Sequence, residues 1–278
     1  MNLEQKASER RQDVLKLICE AGTGHIGGDF SEMEILTYLY YEEMNISPDL
    51  VTDPNRDRFV LSKGHSVEAL YAILADRGFF DKEELFATYS RFGSRFIGHP
   101  NNQLPGIEMN SGSLGHGLSA GVGMALAGKM DKRTYYTYVV TGDGELSEGS
   151  IWEAFMAAPH FALDHLIVFI DFNGLQISGP TEEVMPHGHI REQLQLFGWD
   201  VYEVNGNCFE DLRAAVRLAK SAQGKPSVII ADTIKGHGVS FMENRAGWHH
   251  RVPTEQEREA ALAELSKAGG ISDEYSCQ

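Results

Sequence analysis

Five short runs rich in Val, Ile, Phe and Tyr are spaced along the chain and predict β-strands. They cover residues 57–61, 136–140, 166–170, 200–204 and 227–232. The run 166–170 is apolar at every position, as is typical of a strand that is buried on both faces of a sheet. Strands that alternate with helical segments favour a parallel sheet with helices on both faces, and therefore an α/β fold.

Apolar residues spaced three or four positions apart predict helices between these strands. The predicted helices cover residues 3–20, 67–78, 82–89, 117–130, 150–163, 189–197, 209–222 and 254–267, and one more begins near residue 31. Two of the helix starts carry a capping box, Ser31 with Glu34 and Thr254 with Glu257. In a capping box the two side chains bind backbone N–H groups that the first helical turn leaves without partners.

Two segments have no periodic pattern: residues 92–117 are rich in Gly, Pro, Asn and Ser, and residues 236–253 are rich in glycine and histidine. Long loops of this kind in a compact domain are usually functional. Residues 173–186 are also predicted to be irregular, and the tail from about residue 269 is predicted to be loose. No repeat or linker divides the chain, so we predict a single α/β domain over residues 1–278.

The composition is ordinary for a globular protein with a substantial core: 278 residues, 42% hydrophobic and 23% charged. A formal net charge of −16 argues against binding of nucleic acid or of an anionic membrane, so we expect neither as a partner. The three cysteines show no CxxC spacing, no apolar run is long enough to cross a membrane, and the first residues do not resemble a signal peptide. We therefore predict a cytoplasmic protein with reduced thiols.

Polar side chains follow two of the predicted strands. The sequence Gly142-Asp143-Gly144 comes after the strand 136–140, and Asn173, thirty residues beyond Asp143, comes after the strand 166–170. Carboxylate and amide oxygens at strand ends, next to glycines that let the backbone approach a phosphate, suit Mg²⁺ bound to a diphosphate. The alternative is that Asp143 only caps the helix that follows it.

Several of the 11 histidines lie in glycine-containing loops at the ends of predicted elements rather than being scattered. They are His25, His65, His99, His116 and the pair His249 and His250. Loops at the carboxyl ends of strands are where α/β folds place their sites, and imidazoles that converge there suit proton transfer near neutral pH. A lone histidine is more often structural, so the prediction depends on the rings converging.

In this order the motifs resemble those of transketolases. From about residue 10 to residue 253 the chain is similar to the N-terminal, thiamine diphosphate-binding part of that family, and in particular to the N-terminal subunit of the two-chain bacterial form. The resemblance implies the three-layer α/β/α thiamine diphosphate-binding fold with a mainly parallel sheet. It also implies transfer of a two-carbon ketol unit from a ketose, or its phosphate, to an aldose.

The resemblance assigns roles to particular residues. It implies that His25, His99 and His249 contact the sugar and move protons at its hydroxyls. Mg²⁺, with Ca²⁺ or Mn²⁺ as substitutes, would be bound by Asp143, Asn173 and the backbone carbonyl of Leu175. Contacts with the cofactor would come from Ser31, His65, Gly112, Ser113, Leu114, Gly144, Glu148, Asn173, Lys235 and His249. Because His250 stands where the family commonly has glycine, it stays open which of His249 and His250 faces the site.

The resemblance also implies a partner. In the family, the glutamate that activates the cofactor belongs to a second, pyrimidine-binding domain, which in this chain has no counterpart before Gln278. We expect a C-terminal transketolase subunit to supply it in an α2β2 heterotetramer. Glu148 would lie at that contact and share a proton with the activating carboxylate. The alternative is that Glu148 only favours the start of a helix through the helix dipole.

The sequence also allows three other functions. A 1-deoxyxylulose-5-phosphate synthase-like subunit shares the early histidines and the Gly-Asp-Gly sequence, but His99-Pro100 before Gly112-Ser113-Leu114 favours transketolase. A non-catalytic interaction module with a relic cofactor site is disfavoured by the intact motifs. A nicotinamide dehydrogenase is disfavoured because no strand-linked GxGxxG is present.

Overall fold

The computed structural model describes residues 2–268. Its α-helices are α1 (Leu3–Ala21), α2 (Ile26–Ser31), α3 (Met33–Tyr38), α4 (Val67–Asp76), α5 (Lys82–Thr88), α6 (His116–Met130), α7 (Gly149–His160), α8 (Thr181–Val184), α9 (Ile190–Phe197), α10 (Phe209–Ser221) and α11 (Glu255–Ala268). Its strands are β1 (Arg58–Leu61), β2 (Thr137–Gly142), β3 (Leu166–Phe172), β4 (Leu175–Gln176), β5 (Gly179–Pro180), β6 (Asp200–Asn205) and β7 (Ser227–Asp232).

Five strands form one parallel sheet in the order β1-β2-β3-β7-β6. The α/β class and the five predicted main strands are confirmed. The register pairs Gly142 of β2 with Asp171 of β3, and Phe172 of β3 with Asp232 of β7. Because all five strands run the same way, their carboxyl ends lie along one edge of the sheet.

Alternate residues of each strand pack into one of two apolar cores, since successive side chains in a strand point to opposite faces. Val140, Phe169 and Ile229 pack in one core with helices α1, α3, α4, α10 and α11. Val139 and Val168 pack in the other core with α6, α7 and α9. Each fully buried aliphatic side chain contributes about 1.5–3 kcal/mol. The result is the predicted three-layer α/β/α arrangement.

One predicted helix start is wrong. Ser31 is the last residue of α2, and the next helix begins after Glu32 without a side-chain cap. The carboxylate of Glu34 instead accepts two hydrogen bonds from the Arg11 guanidinium, 2.6 Å each. A buried ion pair therefore overrides the local capping signal. The glycine-containing segment before Ser31 is also helical rather than a loop.

The capping box at α11 is confirmed, because the Glu257 N–H and the Thr254 hydroxyl oxygen are 3.3 Å apart and the Thr254 N–H donates to Glu257 Oε2 at 2.8 Å. Residues 173–186 are more ordered than predicted, since they contain β4, β5 and α8. The predicted tail from 269 lies outside the described residues, and a single domain over residues 1–278 stays a prediction. No helix in residues 2–268 is long and apolar enough to span a membrane.

Candidate active site

The carboxyl edge of the sheet carries three predicted site residues, Asp143, Asn173 and Lys235, together with Lys63, which was not predicted. Lys63 follows β1, Asp143 follows β2, Asn173 follows β3 and Lys235 follows β7. Lys63, Asp143 and Lys235 are each at most 3% exposed. The fold therefore gathers two cations, a carboxylate and an amide at adjacent strand ends.

Asp143 is held by both of its carboxylate oxygens. Oδ1 accepts from the Gly144 N–H at 2.8 Å, and Oδ2 accepts from the Thr181 hydroxyl at 2.8 Å. Burial raises the pKa of Asp143, and the nearby carboxylate of Asp171 adds to this. Gly144 and Asp143 thus contact each other, and a ligand that binds the Gly144 N–H has to replace this hydrogen bond.

Asn173, Leu175 and Lys235 form a connected group beside Asp143. The Leu175 N–H donates to Asn173 Oδ1 at 3.1 Å, and Lys235 Nζ donates to the Leu175 carbonyl at 3.0 Å. Burial, followed by repulsion from Lys63, lowers the pKa of Lys235 to about 8. A buried ammonium with a lowered pKa gains stability from any anion that binds next to it.

Lys63, Asp171 and Glu32 form a buried network that the sequence analysis missed. Lys63 Nζ donates to Asp171 Oδ2 and lies 3.2 Å from Glu32 Oε2. Burial opposes the charge of Lys63, but Asp171 and Glu32 raise its pKa above the ordinary value. Burial raises the pKa of Glu32 to about 8, although the neighbouring charge of Lys63 opposes this. The network is therefore a Lys63–Asp171 ion pair with a second acidic side chain beside it.

Ser31 belongs to this network. Its hydroxyl donates to Asp171 Oδ2 at 2.6 Å, and Asn173 Nδ2 lies 3.4 Å from the same hydroxyl. Ser31 is fully buried. A contact between Ser31 and a cofactor stays a prediction, and the described contacts connect Ser31 to the site through Asp171 and Asn173.

Four histidine rings cluster next to the lysines. The ring centroid of His25 is 5.1 Å from that of His65, 5.6 Å from that of His249 and 4.5 Å from that of His250. The rings of His65 and His249 are 5.2 Å apart. Both members of the 249–250 pair therefore face His25, with His249 deeper and His250 exposed.

The inner histidines are neutral at physiological pH. Burial, and after it the charges of neighbouring groups, lowers the pKa of His25 to about 4, of His65 to about 2 and of His249 to about 3. The second cause is His250 for His25, Lys63 for His65 and Lys235 for His249. Nδ1 of His25 and Nδ1 of His249 are buried without a hydrogen-bond partner within the described residues. Neutral rings with unused nitrogens are prepared to exchange hydrogen bonds with hydroxyl groups.

His99 joins this cluster through the loop that precedes α6. A Cβ atom at Gly112 would lie only 2.8 Å from the His99 ring, and the φ of Gly112 is +146°, so glycine is required there. Backbone atoms of Ser111 and Gly112 pack in the same way against Gly64, next to His65. The structure thus brings Gly112 beside the histidines, whereas Ser113, the next residue, is exposed and Leu114 is half-buried.

Glu148 is separate from the other predicted residues. It is the exposed N-cap residue of α7, and its side-chain carbons lie against Gly115. The buried glutamate of this motif is Glu145, which accepts from the Gly115 N–H at 2.7 Å and from the Gly142 N–H at 3.1 Å. Glu145 ties the loop before α6 to the end of β2. Its position next to the Gly-Asp-Gly sequence was the signal that could have identified it.

The residues present fit an anionic cofactor with a divalent cation. The buried ammonium group of Lys235 lies at this edge of the sheet and suits a diphosphate. Within residues 2–268 no cluster of three or more His, Cys, Asp or Glu is arranged to bind a metal. The oxygens of Asp143, Asn173 and Leu175 are instead one carboxylate, one amide and one carbonyl, a set that suits Mg²⁺ completed by phosphate oxygens.

Comparison with known proteins identifies the family. Residues 4–269 match the family model described as "Transketolase, thiamine diphosphate binding domain". The chain is 49% identical to an apulose-4-phosphate transketolase subunit of Phocaeicola vulgatus, over 95% of this chain and 94% of that protein. It is 45% identical to the 6-deoxy-6-sulfo-D-fructose transketolase subunit SqwG of a Clostridium species, over 97% of this chain and 98% of that protein.

Longer transketolases match over part of their length. Human transketolase is 36% identical over 95% of this chain but only 42% of the human protein. The crystal structure of transketolase from Campylobacter jejuni superimposes with a TM-score of 0.90 at 28% identity, and covers 98% of this chain and 44% of that chain. The chain therefore belongs to the transketolase family, within its thiamine diphosphate-binding domain.

Proposed function

We propose that this chain is the thiamine diphosphate-binding subunit of a two-subunit transketolase, which moves a two-carbon ketol unit from a ketose to an aldose. The observation that carries the proposal is the meeting of two kinds of site at one edge of the sheet. The buried Lys235 and the Asp143 group suit a metal-bound diphosphate, and the neutral histidines beside them suit a sugar.

In this proposal Lys235 neutralises the diphosphate, since the charge of Lys63 is already balanced by Asp171. Asp143, Asn173 and the Leu175 carbonyl bind Mg²⁺, for which Ca²⁺ or Mn²⁺ can substitute. Lys235 Nζ donates to the Leu175 carbonyl at 3.0 Å. A metal bound to this carbonyl would replace that hydrogen bond, and the Lys235 ammonium would then bind the phosphate. Gly144 turns its N–H from Asp143 to the same anion.

When bound, the cofactor supplies the nucleophilic carbon and the electron sink that allow a bond next to a carbonyl to break. The histidines of this chain supply the proton transfers. His25 and His249 are neutral and have free ring nitrogens, so each is able to take the proton of a sugar hydroxyl. His99 binds the hydroxyl and carbonyl at the end of the donor, and Gly112, Ser113 and Leu114 lie along the cofactor ring.

We propose that a C-terminal subunit completes the site with the activating glutamate, in an α2β2 heterotetramer. Two relatives that match over nearly their whole length are named as transketolase subunits, which supports the presence of a second chain. Glu148 is exposed beside Gly115, where a partner chain is able to reach it. The cytoplasmic location stays a prediction.

For the substrate we propose a ketose with an anionic end. The names of two close relatives carry a 4-phosphate and a 6-sulfo group. Xylulose 5-phosphate with ribose 5-phosphate as acceptor is the first pair to test, and a branched sugar phosphate and a sulfosugar are the next.

The test measures ketol transfer with Mg²⁺ and thiamine diphosphate, for this chain alone and for this chain mixed with the C-terminal subunit. We expect turnover only in the mixture. Full turnover by the chain alone would contradict the shared site. Condensation of pyruvate with glyceraldehyde 3-phosphate would favour the deoxyxylulose phosphate synthase alternative. A mixture that neither binds cofactor nor turns over any donor would favour a relic module.

A further inference from the structure

Two carboxyl groups lie fully buried behind the loop that carries His25. Asp29 is in α2 and Glu68 is in the first turn of α4, and both are 0% exposed. Asp29 Oδ1 accepts from the Ala69 N–H at 2.9 Å, and Glu68 Oε1 accepts from the Tyr89 hydroxyl at 2.5 Å. The two carboxyl groups lie close enough to interact, since the charge of Glu68 raises the pKa of Asp29.

The second oxygen of each carboxyl group indicates that the two groups share a proton. Asp29 Oδ2 and Glu68 Oε2 are buried, and no N–H or O–H group within the described residues donates to either. Two carboxylates in contact would repel each other, whereas one proton between them satisfies both oxygens. The other groups facing Glu68 are donors: the Tyr89 hydroxyl and the backbone N–H of His25. Asp29 is therefore the acid that donates its proton to Glu68.

This pair is connected to the histidine cluster through the backbone. Glu68 interacts with the His25 N–H, and a Cβ atom at Gly24 would lie 2.6 Å from Glu68 Oε1. The carboxylate thus supports both residues of the turn that presents the His25 ring. Buried carboxyl groups destabilise a fold compared with apolar side chains, and groups of this kind concentrate at functional sites.

We propose that Asp29 and Glu68 share one proton at neutral pH and are positioning residues that fix the loop of His25. This role rests on the proposed function of His25. Burial and the contact between the two acids raise the pKa of Asp29 well above its ordinary value, and burial raises the pKa of Glu68 to about 7. The other titratable groups that face the pair are Glu32 and Lys63 on the Asp29 side, and Tyr71 and Tyr89 on the Glu68 side.

The first test compares Asp29→Asn with Asp29→Leu in the isolated chain by thermal unfolding between pH 5 and pH 8. The side-chain amide in Asp29→Asn donates a hydrogen bond to Glu68 as the protonated acid does, but it does not have to bind a proton first. The leucine in Asp29→Leu is similar in size but has no hydrogen-bond donor. The folded pair keeps a proton that the unfolded chain releases above pH of about 4. A raised pKa gives stability that is lost as pH rises, so each pH unit weakens the wild-type folding equilibrium by up to about tenfold relative to Asp29→Asn.

We therefore expect Asp29→Asn to match the wild type near pH 5 and to be the more stable protein at pH 8. Asp29→Leu should be less stable at every pH. If Asp29→Asn is instead destabilised as much as Asp29→Leu over the whole range, no proton is shared and the proposal is overturned. Tyr89→Phe removes a single donor to Glu68 and serves as a milder variant if Asp29→Leu does not fold.

The second test concerns His25 itself, through its ring C–H signals in the NMR spectrum of the isolated chain. The signals should stay in place in Asp29→Asn and move in Asp29→Leu and Tyr89→Phe. With the C-terminal subunit, kcat should fall about tenfold or more in Asp29→Leu, and Asp29→Asn should restore most of it. Unmoved signals in all variants would overturn the positioning role. If the stability and NMR results are as expected but the wild-type mixture shows no ketol transfer, the proposed function is refuted. The shared proton of Asp29 and Glu68 would still be supported.

Discussion

The two halves of the site differ in how their polar atoms are satisfied. In the charged half Asp143, Asp171, Lys63 and Lys235 each have protein partners, such as the Thr181 hydroxyl at 2.8 Å from Asp143. In the histidine half, buried ring nitrogens of His25 and His249 have none within the described residues. The charged half is preorganised, whereas the ring nitrogens of the histidine half gain hydrogen bonds only when a ligand binds.

This difference assigns separate tasks to the two halves. Charges that are held in place before binding lower the cost of ordering when an anion and a cation arrive. Neutral rings with unused nitrogens gain hydrogen bonds only when a hydroxyl is present, which is where proton transfer is needed. Changes in the charged half should therefore affect affinity for the cofactor, and changes in the histidine half should affect turnover.

The largest effect is expected from Asp143→Ala, which removes the only carboxylate proposed to bind the metal. Loss of groups that merely support a metal ligand weakens binding about 10–100-fold, so loss of the ligand should weaken Mg²⁺-dependent cofactor binding about 100-fold or more. Calorimetric titration of the assembled enzyme measures this. Asp131→Ala, at the exposed end of α6, is the matched control and should bind normally. Cofactor affinity that survives Asp143→Ala would place the metal elsewhere.

A smaller effect is expected from Lys235, and it should depend on pH. Its pKa is lowered to about 8, so the free protein loses this positive charge as pH rises above 8. Cofactor affinity should then fall by up to about tenfold per pH unit, because the anion binds the protonated form. Lys235→Arg keeps its charge and should abolish the decline, whereas Lys235→Met should be weak at pH 7 already.

Binding curves between pH 7 and pH 9.5, recorded at two salt concentrations, separate these cases. Salt should weaken binding less in Lys235→Met than in the wild type, since screening acts on the lost charge. If the wild type and Lys235→Arg decline in parallel above pH 8, some other group controls affinity.

The residues at the carboxyl edge of the sheet could be predicted from the sequence, but the buried network of Lys63, Asp171 and Glu32 could not. Asp143 and Asn173 were predictable because each follows an apolar run that predicts a buried strand, so the carboxyl end of that strand could be located in the sequence. Glu32 and Asp171 were missed because each looks locally like an ordinary polar residue, and only tertiary packing brings them to Lys63. Tertiary packing also explains why the capping box predicted at Ser31 is wrong. The Glu34 carboxylate binds Arg11, a residue on another helix, instead of a backbone N–H of its own helix.

The histidine half was predictable in its members but not in its arrangement. Glycine-containing loops marked His25, His65 and His249, yet sequence could not tell whether His249 or His250 faces the site. The structure turns both rings towards His25, because the segment after Trp248 is anchored by the buried indole, whose N–H donates to the Phe241 carbonyl at 3.1 Å. The acid pair behind His25 left no local signal at all.

The neighbouring residues His249 and His250 test the assignment of turnover to the histidine half. His249→Asn should lower kcat about 10–100-fold with little change in cofactor affinity, since a positioned base typically contributes that much or more. His250→Asn should have a smaller effect, because its ring is exposed and lies against the ring of His25. Steady-state kinetics of the assembled enzyme decide the matter. Equal losses in cofactor affinity and kcat for His249→Asn would remove the division between the two halves.

The smallest effect should come from Gly112→Ala, which acts on the histidine half without removing any polar group. The new methyl group would lie 2.8 Å from the His99 ring, and the positive φ of Gly112 adds strain. A displacement of a few tenths of an ångström at His99 should raise the KM of the donor sugar roughly threefold to tenfold, because misplacement by 1 Å costs about a hundredfold. Gly123→Ala is the control, since a methyl group there meets nothing within 4 Å. A change in cofactor affinity rather than in donor KM would assign Gly112 to the charged half instead.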